Sequence, residues 1–214
     1  MKIMERTQIE VANKLLEIEA VKIQPVNPFT WASGWKSPIY CDNRKILSYP
    51  SARSLICNKF AEIIRNKYPS AEVIAGVATG AIAHGVLVAD KLGLPFIYVR
   101  SKPKGHGLEN LIEGELKPKQ KVVVIEDLIS TGDSSLKAAE AINGFGAYVT
   151  GMLSIFTYNF DVASDKFKQA NIELTPLSNY QVLIQESLKA GKITEEQINT
   201  LMEWRKDPAH WGKN

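Results

Sequence analysis

The most informative stretch of the chain is Val122-Val-Val-Ile-Glu-Asp-Leu-Ile-Ser-Thr-Gly-Asp-Ser-Ser135. Its β-branched, apolar start is typical of a strand buried on both faces of a parallel sheet. The strand ends in two adjacent carboxylates, Glu126 and Asp127, and a hydroxyl-rich loop containing Gly132 then leads into a helix. In open α/β sheets, ligands bind beyond the carboxyl ends of the strands. The stretch therefore predicts a binding site at this strand-to-helix connection.

The loop itself has the features of a phosphate site. A helix start offers unpaired N–H groups and the positive end of the helix dipole, and Gly132 lets the backbone approach a ligand closely. Ser130, Thr131 and Ser134 add hydroxyl donors. The alternative is an ordinary strand-to-helix turn, since the loop matches neither a Walker loop nor Gly-x-Gly-x-x-Gly. The acidic pair would repel phosphate, so it must face diol hydroxyls, a cation or developing positive charge.

Apolar strands and amphipathic helices alternate along the rest of the chain. Strands separated by helices indicate βαβ units, a parallel sheet and right-handed crossovers. The predicted strands are residues 73–77, 96–99, 121–125, 148–156 and 172–174. Thr7 and Glu10 have the spacing of a capping box, which predicts the start of an N-terminal helix. Because the sequence shows no repeat and no linker, we predict one α/β domain, 1–214.

Charge and cysteine content narrow the functional classes. A net charge of +3 suits an anionic small-molecule site as well as nucleic acid, but the sequence shows no helix-turn-helix and no strongly basic face. No apolar run is long enough to span a bilayer. Cys41 and Cys57 show no metal-ligand spacing. No signal-peptide pattern is visible at the first residues. We therefore expect a cytoplasmic protein that binds neither nucleic acid nor membrane.

Four basic side chains share a second polar segment with proline and glycine, Arg100-Ser-Lys-Pro-Lys-Gly-His-Gly107. Most such charged loops are simply solvated. This one follows a strand predicted to lie near the phosphate strand, where its cations can neutralise an anionic leaving group and exclude water on closing. A glycine-rich loop, Gly76-Val-Ala-Thr-Gly-Ala81, follows the preceding strand and is either a plain βα turn or a further anion contact.

The order apolar run, two acids, three residues and Thr-Gly resembles the PRPP-binding motif of the type I phosphoribosyltransferases. Three more segments look like the orotate phosphoribosyltransferases within that family. They are the basic segment above, Leu177-Ser-Asn-Tyr-Gln-Val-Leu-Ile184, and Phe29-Thr-Trp-Ala-Ser-Gly-Trp-Lys-Ser-Pro-Ile-Tyr40 followed by Asp42-Asn43-Arg44. The motif alone indicates only the superfamily, whereas spaced matches in the right order indicate the orotate branch.

The resemblance implies a mainly parallel five-stranded sheet flanked by helices, with a small hood built mainly from 1–45 and completed by C-terminal elements. It implies transfer of the 5-phosphoribosyl group from PRPP to orotate, which gives orotidine 5′-monophosphate and pyrophosphate in pyrimidine synthesis. It further implies a Mg²⁺ cofactor that is carried mainly by PRPP, with no direct protein ligand. A homodimer that shares the basic segment across its interface is also implied.

Individual roles follow from the same resemblance. The residues implied in catalysis are Asp127, Lys104 and His106. The residues implied in PRPP binding are Arg100, Lys104, His106, Glu126, Asp127, Leu128, Ile129, Ser130, Thr131, Gly132, Asp133 and Ser134. The residues implied in orotate binding are Ser130, Tyr40 and Arg44.

The sequence departs from the family pattern at three positions. A Lys is expected at Ala32 and an Arg near Tyr158, so we expect Arg44 to supply a missing positive charge. Asp133 replaces the usual Gly or Thr, and a carboxylate beside phosphate must point away, cap the helix or meet a cation. Two other functions stay open: transfer to a purine base, and PRPP sensing without catalysis.

Overall fold

The computed structural model describes residues 2–31, 34–102 and 111–212. Its helices are α1 (Lys2–Glu17), α2 (Pro50–Lys67), α3 (Ile82–Leu92), α4 (Asp133–Gly144), α5 (Asp161–Gln169), α6 (Tyr180–Lys189) and α7 (Glu195–Lys206), with a 3-10 helix at Asn43–Ser48. Its strands are β1 (Val21–Ile23), β2 (Phe29–Thr30), β3 (Lys36–Ser37), β4 (Ile39–Cys41), β5 (Val73–Val77), β6 (Phe96–Val99), β7 (Ile112–Glu113), β8 (Lys121–Ile129), β9 (Tyr148–Thr157) and β10 (Leu174–Asn179). None of the helices in these ranges has the length and apolar character needed to cross a membrane.

The central sheet has the order β10-β9-β8-β5-β6-β7. Its first five strands are parallel, which confirms the predicted α/β fold with a mainly parallel sheet. The sheet has six strands rather than five, because Ile112 and Glu113 pair antiparallel with the end of β6. No strand was predicted at these positions, because a segment of two residues is too short to show a strand pattern.

Apolar residues of the inner strands alternate between two hydrophobic layers. Ile74 and Val123 are fully buried on one face, in a layer that also contains residues of α1, α2, α3, α6 and α7. Ala75 and Val124 are fully buried in a second layer, with residues of α4 and α5. Successive side chains of a strand point to opposite faces, and helices cover both faces of this sheet. Only the ends of the strands are therefore left open to a ligand.

Three predicted boundaries are wrong. The strand predicted at 121–125 continues as β8 through both acids to Ile129. Thr7 does not cap α1, because the helix already begins at Lys2 and Thr7 is buried within it. The last strand was predicted at 172–174, but β10 runs from Leu174 to Asn179 and includes Pro176. Proline is tolerated there because β10 is the edge strand and pairs only with β9.

The hood consists of two short antiparallel pairs, β1 with β4 and β2 with β3. Helix α7 packs against it through Trp204, whose Nε1 donates a hydrogen bond to the Lys36 carbonyl at 3.1 Å. The Trp204 ring lies 5.7 Å from Trp31 of the hood and 5.7 Å from Tyr158 at the end of β9. This aromatic cluster therefore joins the hood, the sheet and the C-terminal helix.

We predict that Trp204→Ala lowers the free energy of unfolding by about 3–5 kcal/mol, the usual cost of deleting a buried aromatic side chain. Urea denaturation followed by circular dichroism measures this change. Met202→Ala on the same helix is the control, because Met202 is partly exposed and surface changes usually stay within about 0.5 kcal/mol. Equal stabilities for the Trp204 variant and the control would contradict the role of the cluster.

Candidate active site

The candidate site lies where β5 and β8 run side by side. From β5 the chain continues to β6 on one side, whereas β8 lies on the other side and leads to β9 and β10. Such a reversal of strand order opens a crevice at the carboxyl ends of the strands. The chain leaves four neighbouring strands at this edge: β5 is followed by the loop 78–81, β6 by Arg100, β8 by the loop 130–132, and β9 by Tyr158.

A larger cavity of about 450 Å³ lies elsewhere, among residues of α1, α2 and β10. It includes Glu173 and Leu174 at the amino end of β10, and none of the residues predicted to bind PRPP or orotate lines it. We therefore place the site at the carboxyl edge of the sheet, where the predicted acidic and hydroxyl residues lie close together.

The phosphate loop forms a glycine-led helix start, as predicted. Gly132 has φ +81, in the left-handed region that favours glycine, and no described side chain caps α4. The first N–H groups of α4 are consequently available to an anion. Ser130 and Thr131 are half-buried, and Ser134 is exposed.

The unexpected Asp133 meets a cation. Its Oδ1 lies 2.6 Å from Nζ of Lys166, a residue of α5, and its Oδ2 accepts a hydrogen bond from the Thr131 hydroxyl at 2.8 Å. The hydrogen bond from Lys166, followed by that from Thr131, lowers the pKa of Asp133 below its ordinary value. Asp133 is thus an ionised, paired carboxylate, which is one of the arrangements that the sequence analysis required.

The two adjacent acids have different environments. Glu126 is buried, and its oxygens accept hydrogen bonds from the Asp127 N–H at 2.9 Å and from the Ser135 hydroxyl at 2.7 Å. Burial, with the neighbouring Asp127 carboxyl as a further cause, raises the pKa of Glu126 well above its ordinary value. Glu126 therefore links β8 to α4, and the half-buried Asp127 directs its carboxylate toward the loop at Gly80.

Asp127 lies against two residues that were not predicted to contact it. Asn43 is buried, and its side-chain amide donates to the Asp127 carbonyl at 2.6 Å. A Cβ atom at Gly80 would overlap the Asp127 carboxylate. The glycine-rich loop after β5 therefore packs directly against the acid at the end of β8. The glycine-rich loop was visible in the sequence and could have indicated a close approach at Gly80, whereas nothing in the sequence indicated that Asn43 bonds to Asp127.

A cavity of about 200 Å³ lies beside the acidic strand end. It is lined by Trp31, Tyr40, Cys41, Leu128, Ser130 and Tyr158. The structure thus brings together Tyr40 and Ser130, two of the three residues predicted to bind the acceptor. Burial raises the pKa of Cys41 well above its ordinary value, with Asp127 and Asp42 as lesser causes, so Cys41 contributes a neutral thiol.

The third predicted acceptor residue, Arg44, is not among the residues that line this cavity. Its guanidinium forms a two-point ion pair with Asp42, at 2.7 Å from Nε to Oδ1 and 3.0 Å from Nη2 to Oδ2. The side chain is 63% exposed. An acceptor carboxylate would therefore compete with Asp42 for Arg44.

The remaining predicted residues divide into three groups. Arg100 follows β6, with its Nη1 3.5 Å from Oε1 of Glu113. Leu128 lines the cavity, and the Ile129 side chain is fully buried, so Ile129 can offer a ligand only its backbone. Lys104, His106 and Ala32 lie outside the described residues.

His84 was predicted to be structural. It is buried on α3, its Nε2 finds no hydrogen-bond partner among the described residues, and burial lowers its pKa. A neutral imidazole is therefore expected there. Over the same part of the chain, no group of three or more His, Cys, Asp and Glu side chains is arranged to hold a metal ion.

Known proteins agree with this geometry. The family model described as phosphoribosyl transferase domain matches residues 45–171. An orotate phosphoribosyltransferase of Porphyromonas gingivalis is 61% identical over 202 residues, which cover 94% of this chain and 96% of that protein. The crystal structure of orotate phosphoribosyltransferase from Aeropyrum pernix superposes with a TM-score of 0.75 at 26% identity, covering 86% of this chain and 99% of that chain. The structure of Leishmania donovani UMP synthase gives a TM-score of 0.77 at 26% identity, and the match covers 92% of this chain and 42% of that chain. With this degree of identity along nearly its whole length, and with a glycine-led helix start at the carboxyl edge of the sheet, the chain belongs to the orotate phosphoribosyltransferase family.

Proposed function

We propose that this chain transfers the 5-phosphoribosyl group of PRPP to orotate, giving orotidine 5′-monophosphate and pyrophosphate in pyrimidine biosynthesis. The observation that carries the proposal is the position of Asp127. Its carboxylate lies against Gly80. The residue after Asp127, Leu128, lines the cavity with Tyr40 and Ser130, and the phosphate loop follows at the end of the same strand. A phosphoribosyl donor and a planar acceptor need these three subsites side by side.

The phosphate loop is assigned to the 5′-phosphate. N–H groups at the start of α4, with the hydroxyls of Ser130, Thr131 and Ser134, would hold the phosphate oxygens. The ribose then extends toward Asp127, whose carboxylate accepts hydrogen bonds from its hydroxyls. Arg100 is assigned to the diphosphate, together with Lys104 and His106, as cations that neutralise the leaving group.

Mg²⁺ fits this arrangement as a cation that arrives with the diphosphate. Magnesium is commonly held by one or two carboxylates together with substrate phosphates. Glu126 is engaged by Ser135 and the Asp127 N–H, and Asp127 is assigned to the ribose hydroxyls, so PRPP itself would supply most of the ligands of the ion. The bound ion would neutralise charge on the departing diphosphate.

The residues present act by position and charge. As the bond to the diphosphate breaks, positive charge develops on the ribose ring at C1, and the Asp127 carboxylate is placed to stabilise it. The acceptor in the cavity reaches C1 from the hood side, between Tyr40 and Ser130. No side chain has to form a covalent intermediate, because the acceptor itself is the nucleophile.

Assembly and location are also proposals. We propose a cytoplasmic homodimer in which the basic segment after Arg100 reaches the partner's site, as the family resemblance implies. We propose further that 1–214 is a single domain, supported by one hydrophobic layer that includes residues of the hood and of the sheet.

Assays with orotate, adenine and xanthine as acceptors test the reaction itself. Consumption of PRPP with orotate alone supports the proposal, because the hood segment and the relatives indicate orotate. Turnover with a purine base instead would overturn the acceptor assignment and leave the phosphoribosyl chemistry in place. Binding of PRPP without turnover of any acceptor would indicate a sensor.

We predict that Asp127→Asn lowers kcat/KM by at least about 100-fold, because the isosteric amide removes the negative charge that faces the ribose. Steady-state rates at varied PRPP and orotate measure the effect. Asp90→Asn, an exposed carboxylate-to-amide change on α3, should keep wild-type kinetics. Wild-type kcat/KM for the Asp127 variant would exclude a catalytic role for this acid.

We predict that Gly80→Ala lowers kcat/KM by about tenfold or more, since the new methyl group displaces the Asp127 carboxylate from a preorganised position. Combining it with Asp127→Asn should cause little further loss, because both changes act on the same group. Gly144→Ala is the control, as a Cβ there meets no atom within 4 Å. Fully additive losses would show that Gly80 acts independently of Asp127.

We predict that Arg44→Ala raises the KM for orotate by about tenfold, the value of one hydrogen bond to a charged group, and leaves the KM for PRPP nearly unchanged. Initial rates at varied orotate measure it. The neighbouring Lys45→Ala should have little effect on either constant. An unchanged orotate KM would mean that Arg44 remains paired with Asp42 and that the acceptor carboxylate is held elsewhere.

A further inference from the structure

The phosphate loop carries its own carboxylate. Asp133 is the first residue of α4, and its Oδ2 already accepts the hydroxyl hydrogen of Thr131, at 2.8 Å. That hydroxyl is one of the donors assigned above to the 5′-phosphate. An incoming phosphate would therefore meet a negative charge and a donor that is already engaged.

Lys166 opposes this carboxylate from a neighbouring helix. Its Nζ lies 2.6 Å from Oδ1 of Asp133. The two oxygens of Asp133 are thus divided: one is bound by the hydroxyl of the loop, and the other by a cation of α5.

Packing fixes where Lys166 can reach. The next residue, Phe167, is buried, and a Cβ at Gly132 would lie 3.0 Å from its ring. Helix α5 is therefore packed directly against the glycine of the phosphate loop. Because the helix is held at this point, the Lys166 ammonium stays within reach of Asp133 although its side chain is partly exposed.

We propose that Asp133 is a built-in competitor of the 5′-phosphate for the Thr131 hydroxyl, and that Lys166 sets the affinity of the loop by offsetting and drawing away this carboxylate. The proposal rests on the assignment of the loop to the 5′-phosphate. Lys166 acts through Asp133 and is therefore a positioning residue.

The alternative is an ordinary surface ion pair, which contributes little to stability and nothing to binding. The two possibilities differ in the sign of their effects. A surface pair predicts that removing either charge is neutral. A competitor with its counter-charge predicts that the two removals change phosphate affinity in opposite directions. Lys137 also contributes positive charge near Asp133, so the Lys166 effect is expected to be partial.

The test compares wild type, Lys166→Met, Asp133→Asn and the double variant. Isothermal titration with ribose 5-phosphate gives Kd, and initial rates give the KM for PRPP. We expect Lys166→Met to raise both constants about fivefold and Asp133→Asn to lower them about threefold, changes in the range of screened charge interactions near a surface. In the Asp133→Asn background, Lys166→Met should change them less than twofold.

Lys168→Met is the matched control. Lys168 lies on the same helix and forms only a long contact of 3.9 Å with Asp165, so its removal changes the charge of α5 without touching Asp133. The KM for orotate serves as a second readout that a general structural disturbance would move and this mechanism would not.

Three results would overturn the inference. One is an unchanged ribose 5-phosphate Kd in both single variants of an active enzyme. Another is a Lys166→Met penalty of equal size with and without Asp133, which would show that Lys166 acts on the phosphate directly. The last is a loss of affinity in Asp133→Asn. A wild type that binds ribose 5-phosphate but does not turn over orotate would instead overturn the proposed reaction and leave this inference standing.

Discussion

The structure depends on the parallel pairing of β5 with β8. Val73 to Gly76 lie in register with Val122 to Ile125, so the loops that follow the two strands leave the sheet at the same edge. This register brings the glycine at position 80 against the carboxylate of Asp127. A shift along either strand would separate the loop from the acid. The chemistry of the site is therefore set by a backbone ladder that is itself buried in the two apolar layers.

The two adjacent acids of β8 differ in their contacts and therefore in their roles. Glu126 and Asp127 are adjacent in β8 and their carboxyls interact, but their other contacts differ. Glu126 accepts hydrogen bonds from Ser135 of α4 and from a backbone N–H, whereas the Asp127 carboxylate lies against Gly80. Adjacent carboxylates at a strand end thus yield one structural acid and one acid that is available to a ligand.

The sequence predicted the strands of the inner sheet and the glycine-led start of α4, because each of these is a local pattern. It ended β8 too early, since Glu126 and Asp127 interrupt an apolar pattern that continues to Ile129. It did not predict what depends on partners distant in the chain. Nothing near Asp133 indicated Lys166, and nothing near Asn43 indicated the carbonyl of Asp127. Local rules also failed where tertiary context prevailed: Thr7 fits a capping box but lies inside α1, and the strand predicted to end at Leu174 begins there and includes Pro176.

Tyr158 shows why the acceptor site departs from the family pattern. Its ring is buried, stacked 5.4 Å from Phe160 and covered edge-on by Trp204 of the C-terminal helix. A guanidinium in this position would lose its water among these aromatic rings, which is costly. An aromatic ring fits because its apolar faces match the cluster.

Trp204 of α7 packs on both the hood and Tyr158, so the same aromatic cluster positions α7 and favours an aromatic residue at position 158. It leaves the inner part of the cavity suited to a planar ring rather than to an anion. In the proposed reaction the acceptor carboxylate would therefore lie on the side of Tyr40, which is exposed and lines the cavity together with Ser130.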